Sequence, residues 1–158
     1  MRAIVDNTVL TNFALAQQSE FLKVVGDGEL FTAQEVLSEF QEGENRSIVL
    51  KQDWNWIQVL EIESEEERIT FTRANQRLGK GEAACLSLAI HRQFKILTDD
   101  LDARRYAQRR GIPVSGTIGV LVLAVKKKLI LLEEGNTILQ LMLQYGYYSP
   151  YLRLDELI

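Results

Sequence analysis

Five short runs rich in apolar residues punctuate this chain: Ala3-Ile4-Val5, Leu30-Phe31, Trp56 to Ile62, Lys95 to Thr98 and Pro113-Val114-Ser115. Between them the apolar residues recur at helical spacing. Runs of this length read as strands, and strands that alternate with helices imply a parallel sheet covered by helices on both faces. The predicted fold class is therefore α/β. In such sheets ligands gather beyond the carboxyl ends of the strands, which directs attention to the residues just after each run.

The segments between the strands carry their own punctuation. Thr8, Leu10, Phe13, Ala14 and Leu15 come after Asp6 as a first helix, and Phe21 to Val25 form a second, ended by Gly26-Asp27-Gly28. The Thr32…Glu35 spacing reads as a capping box, opening a third helix at Thr32 and spending the Glu35 carboxylate on the backbone. Asn45 to Asp53 reads as a further short helix. Glu61 to Glu67 suits a solvated strand end and helix N-terminus, without chemistry of its own. Helices are then expected over Glu65 to Arg77, from Glu82 through Ile90, over Leu101 to Arg110 before Gly111, after Gly116-Thr117 up to Lys128 and over Asn136 to Tyr145. Ser149-Pro150 reads as a cap and first helical position of a C-terminal helix ending near Leu157.

Composition narrows the chemistry. At 158 residues and 46% hydrophobic content the chain reads as one domain over residues 1–158. With one histidine, His91, and one cysteine, Cys85, neither a Ser-His-Asp triad nor a thiolate zinc cage stands out. One cysteine closes no intrachain disulfide, and the opening run meets Asp6 too early for a signal peptide, so a cytoplasmic location is expected. The longest apolar run, Ile118 to Val125, is short of the ~20 residues that span a bilayer, so no membrane is expected. A net charge of −4 argues against a general polyanion binder, although local basic clusters can still steer nucleic acid to one face.

Carboxylates remain. Asp6 and Asp99-Asp100 fall at two strand ends, and Glu82 lies in the first turn of its helix. Glu39 sits about 60° outside the apolar face made by Val36, Leu37 and Phe40. Each has a structural explanation when taken alone, as a turn residue, a cap or a partner of the helix dipole. Brought together they would repel, and a divalent cation resolves the repulsion. Hard oxygen ligands suit Mg²⁺ or Mn²⁺ and, with them, phosphodiester chemistry. A haloacid-dehalogenase-type phosphatase needs a second aspartate two positions after the first, and here Asp6 is followed by Asn7-Thr8.

Several segments together resemble the PIN-domain family. They are Ile4-Val5-Asp6-Asn7-Thr8-Val9-Leu10, Val36-Leu37-Ser38-Glu39-Phe40, Gly79-Lys80-Gly81-Glu82-Ala83-Ala84 and Leu97 to Arg105, with Gly111-Ile112-Pro113-Val114 and Gly116 to Leu121. The likeness spans about residues 2–130, leaving a C-terminal helical extension over about 131–158. It is strongest to a prokaryotic branch related to the toxin ribonucleases of type II toxin–antitoxin pairs.

The resemblance implies a metal-dependent ribonuclease acting on single-stranded RNA, with Asp6, Glu39, Glu82, Asp99 and Asp100 as catalytic acids. Of these, Asp6, Glu82, Asp99 and Asp100 are the expected metal ligands, and Asp102 is a surplus carboxylate. Asn7, Thr8 and Asn12 are expected to orient Asp6 or bound water. Lys80, Arg104 and Arg105 are expected to meet RNA, with an antitoxin protein and a second copy of the chain as further partners. The alternative is a catalytically silent PIN-like module that binds nucleic acid or protein. Tyr145, Tyr147, Tyr148 and Tyr151 are expected to pack on the domain or form a subunit interface.

Overall fold

The computed structural model describes residues 2–158. It contains strands β1 (Ala3–Val5), β2 (Leu30–Ala33), β3 (Gln58–Leu60), β4 (Lys95–Leu97) and β5 (Val114–Ser115). All four pairings are parallel, and the sheet order is β3-β2-β1-β4-β5. Eight α-helices among the described residues flank it: α1 (Asn7–Leu15), α2 (Ser19–Gly26), α3 (Gln34–Asn45), α4 (Glu65–Asn75), α5 (Lys80–Arg92), α6 (Leu101–Arg109), α7 (Thr117–Lys126) and α8 (Leu132–Gln144). The α/β class expected from the alternation is the class observed.

Strand β1 is central. Its three side chains, Ala3, Ile4 and Val5, are wholly buried, so both faces of the strand must be apolar and the run does not alternate. From β1 the chain builds outward to β2 and β3 on one side and to β4 and β5 on the other. The seam between β1 and β4 is thus the topological switch point, where α/β sheets open a crevice at their carboxyl edge. Helices α1, α2, α7 and α8 pack among themselves, while α5 gathers α3, α4 and α6. Gly81, Ala83, Ala84 and Ala89 are small enough to bring α5 close to the sheet, and Leu86 and Leu88 are wholly buried. Each of those leucines contributes roughly 1.5–3 kcal/mol relative to exposure. No described helix is long and apolar enough to cross a membrane.

Four expectations need correction. Thr32 lies in β2 and opens no helix. Its hydroxyl donates to Val5 O at 2.8 Å, and α3 begins at Gln34 without a side-chain cap. A β-branched residue suits a buried strand, and pairing with β1 and β3 carries β2 on to Ala33. The Glu35 capping box is therefore absent, and Glu35 Oε2 is buried without a hydrogen-bond partner. The short helix over Asn45 to Asp53 does not form either. Helix α3 itself runs to Asn45, and the irregular chain beyond is held by Glu44 Oε2, which accepts from Gln52 N–H at 2.9 Å, and by Trp54, edge-on to Phe40 at 5.2 Å.

Ser149 makes a turn in place of a helix cap. Its Oγ accepts from Tyr151 N–H at 3.0 Å and donates to Tyr151 O at 2.7 Å, and the only C-terminal helix is one 3-10 turn, Asp155–Leu157. Finally, Glu67 departs from the solvated acidic run around it. It completes a capping box with Ser64, is 4% exposed, and pairs with Arg92 Nε at 2.7 Å. Arg92 holds its carboxyl down at about 2.

Candidate active site

Asp6 comes directly after β1, and its N–H donates to Leu97 O at 3.0 Å, which places the residue over the β1–β4 seam. It is the N-cap of α1: Oδ1 accepts from Thr8 N–H at 2.9 Å and Val9 N–H at 3.4 Å. The Thr8 hydroxyl donates to the same oxygen, and the Thr98 hydroxyl donates to Oδ2. At 1% exposure the carboxyl is cut off from water. Burial pushes its pKa up to about 7 in spite of those donors, and the charge of Asp99 adds to the rise.

Asp99 stands across the seam at the end of β4. Its Oδ1 accepts from Thr117 N–H at 3.0 Å, and Oδ2 accepts from the Thr117 hydroxyl at 2.5 Å and Asn12 Nδ2 at 3.0 Å. Tyr147 OH lies 3.4 Å from Oδ1. The Asp99 N–H in turn donates to Thr8 Oγ1 at 2.9 Å, so one threonine links the two aspartates. A side chain at residue 116 would strike Asp99 Oδ1 and the Thr98 carbonyl, so glycine is what lets the β5–α7 turn close on the carboxylate.

Three further carboxylates share one habit. Glu39 Oε1 accepts from Gly81 N–H at 2.9 Å, Glu82 Oε2 from Gly79 N–H at 2.7 Å, and Asp100 Oδ1 from Ala103 N–H at 2.7 Å. The second oxygen of each receives no hydrogen bond among the described residues. The Gly79-Lys80-Gly81 motif gains a physical reason here. A Cβ at Gly81 would sit 2.6 Å from Glu39 Oε2, and one at Gly79 would sit 2.7 Å from Glu82 Oε2. Both glycines seat a carboxylate.

The electrostatics tie the set together. Burial raises the pKa of Glu82 against the Gly79 N–H, and the charges of Asp100 and Glu39 raise it further. Cys85 lies buried beneath, its thiol directed at Val5 O at 3.7 Å. Burial pushes that thiol well up, and Asp6, Glu39 and Glu82 all add to the rise. The acids that act on this thiol come from the end of β1, from α3 and from α5.

The other expected residues divide. Asp102 is excluded from the cluster: its side chain is 74% exposed and lies 3.8 Å from Arg105, whose guanidinium faces solvent with it. Arg104 turns the other way and donates from Nη1 to Thr98 O at 2.8 Å. Lys80 is exposed at the start of α5. Thr8 donates to Asp6 through both its N–H and its hydroxyl. Asn12 serves Asp99 and Thr117 (3.1 Å) instead, and Asn7 accepts only from Thr11, at 3.4 Å. His91 is exposed and bonds Thr70 at 2.8 Å, away from these acids. Sequence patterns assign no site role to Thr98, Thr117 or Tyr147, Tyr147 being expected only to pack on the domain or form an interface. The first two were legible as hydroxyls flanking the strand-end motifs; Tyr147, 48 residues beyond Asp99, gave no local sign.

Among the described residues no three His, Cys, Asp or Glu side chains are gathered tightly enough to cage a metal as they stand. In donor type and charge the set nevertheless fits a hard divalent cation. It is all oxygen, mutually repelling, and anchored through one oxygen on each of three carboxylates with the other left open. This parallel sheet collects carboxylates and hydroxyls at its switch point, where ligands of such sheets gather. The family model described as PIN domain matches residues 2–158, and the chain belongs to that family. PIN domains are typically metal-dependent nucleases. No curated protein matches the chain.

Proposed function

We propose that this protein is a Mg²⁺- or Mn²⁺-dependent ribonuclease that hydrolyses single-stranded RNA. The observation that carries the reading is the triple anchoring of Glu39, Glu82 and Asp100, each through one oxygen, beside the buried Asp6 at the switch point. Their open oxygens would hold the cation, with Asp6 and Asp99 as the nearest further acids. Such an ion, when bound, supplies Lewis acidity and a water of lowered pKa.

The protein's own groups do the rest. Thr98 and Thr8 fix the Asp6 carboxylate, so its position requires no reorganisation when substrate arrives. Asp99 grips Thr117 and Asn12, which holds the β5–α7 turn against the site. Arg104 spends one N–H on Thr98 O and keeps the remainder of its planar fork for a phosphate, and exposed Lys80 extends the same polarity. A toxin role, an antitoxin partner and a homodimer belong to this reading on the strength of the resemblance, and a cytoplasmic location belongs to it on the cysteine content.

One observation favours the alternative of a silent binding module: every carboxylate oxygen of Asp6 and Asp99 already accepts a donor from the protein. A cleavage assay decides between them. Wild type should cut mixed-sequence single-stranded RNA with Mg²⁺ or Mn²⁺ and stop on chelation. No cleavage of diverse RNAs at millimolar metal gives the silent module.

A further inference from the structure

Beside Asp99 opens a cleft of about 400 Å³ whose walls are more aromatic than the rest of the site requires. Leu101, Arg104 and Ile118 line one part, and Tyr147, Tyr148 and Tyr151 line another. Two of these residues lack an evident structural role: Tyr148 is 91% exposed and Leu101 is 64% exposed. Arg104 lines the same cleft and forms no ion pair with any described carboxylate.

The tyrosines ride on a strap that is fixed at both ends. Gly146, at φ +99, turns the chain back after α8, a conformation a side chain would resist, and Tyr147 N–H returns to Met142 O at 3.0 Å. Downstream, Leu154 is wholly buried, its N–H donates to Asn136 Oδ1 at 2.7 Å, and Gln140 Nε2 holds Leu152 O at 2.6 Å. The Ser149 turn sets Tyr148 and Tyr151 relative to one another. A backbone held in this way has less entropy to lose when something stacks on its rings.

We propose that this cleft receives one unpaired nucleobase of the substrate strand, stacked on Tyr148 and Tyr151, while Arg104 meets the adjacent phosphate. The inference rests on the ribonuclease reading and deepens it. Three features favour single-stranded nucleic acid: a π-face open to solvent, a lone guanidinium next to it, and the position beside the acids where a phosphodiester must lie. A cleft of about 400 Å³ has room for one nucleoside, and a base can stack there only when it is not paired within a duplex, so the cleft would act as a filter against duplex. Stacking on rings is tolerant of base identity, so the pocket selects unpaired RNA without fixing its sequence.

Binding is measured apart from cleavage, by fluorescence anisotropy of a labelled single-stranded oligoribonucleotide on the full chain carrying Glu82→Gln. Adding Tyr148→Ala should weaken binding about fivefold or more, whereas Tyr148→Phe should keep it, because the ring and not the hydroxyl does the stacking. An oligomer of the same length with abasic positions should bind both versions alike. Unchanged affinity for Tyr148→Ala overturns the proposal, as does a protein that binds no RNA. A change from dimer to monomer by light scattering, with RNA affinity intact, also overturns it and assigns the cleft to a second copy of the chain. Cleavage by wild type that ignores Tyr148→Ala defeats the base pocket and leaves the nuclease standing; ring-dependent binding without cleavage does the reverse.

Discussion

Replacing Asp6 by asparagine should make the metal-free protein more stable at pH 8, although it alters a buried, four-times hydrogen-bonded residue. The reason is protonation. In the folded chain the carboxyl titrates at about 7, against an ordinary value of 3.8. Between those values the folded state holds a proton that the unfolded state releases, so stability falls as pH rises through the window. Three units at 1.36 kcal/mol each amount to roughly 4 kcal/mol lost by pH 8. Asparagine carries no such charge. Its oxygen still caps α1 through Thr8 and Val9 N–H, but its amide meets the Thr98 hydroxyl, which must turn from donor to acceptor, at about 1 kcal/mol.

A net gain of about 3 kcal/mol corresponds to roughly 10 °C in a chain of this size. The assay is thermal unfolding of both proteins in chelator from pH 5 to pH 8, read as the difference between them, so that other titrating groups cancel. The Tm of wild type should fall relative to Asp6→Asn as pH rises. Millimolar Mn²⁺ should raise the Tm of wild type, and Asp6→Asn should blunt that rise, since a ligand of the folded state alone stabilises by mass action and the variant keeps Glu39, Glu82 and Asp100. If Asp6→Asn is the less stable protein at pH 8 in chelator, or the difference is flat with pH, the buried-charge reasoning is wrong.

Three other outcomes are expected. Glu82→Gln keeps the Gly79 N–H contact but deletes an open anionic oxygen, so cleavage should drop more than about a hundredfold, ~3 kcal/mol of transition-state stabilisation, in single-turnover assays. Glu35→Met removes a buried oxygen that nothing satisfies and should raise Tm by a few degrees, with cleavage near normal; a lower Tm means that oxygen has a use. Arg92→Leu strands the buried Glu67 and should cost about 2–4 kcal/mol in urea unfolding at pH 7. Because Arg92 holds the Glu67 carboxyl at about 2, below its usual 4.5, that loss should shrink as pH falls from about 5 toward 2.

What the sequence disclosed and what it hid are set by the range of the interactions involved. Asp6 was visible because its cap, Thr8 and Val9, lies within three residues. Asp100 was visible for the same reason, through Ala103. Gly79 and Gly81 were visible as a motif, but their purpose was not: seating Glu39 requires contact across 42 residues. The start of α3 and the role of Glu35 were misassigned because Thr32 fits a cap and a strand equally well, and only its bond to Val5 O decides. Arg104 and Arg105 are neighbours of one kind, separated by which side of α6 faces Thr98. Tyr147 reaches Asp99 by way of a strap whose anchors, Asn136 and Leu154, give no local pattern.

The reading of these carboxylates as a cation site is tested most directly by anomalous diffraction at the manganese edge from crystals grown in Mn²⁺. The expected result is a peak at the carboxyl edge of β1 and β4, about 2.2 Å from oxygens of Glu82 and Asp100, with Glu39 or Asp6 completing the set. No peak there, or a peak only at surface acids such as Asp102, would contradict it.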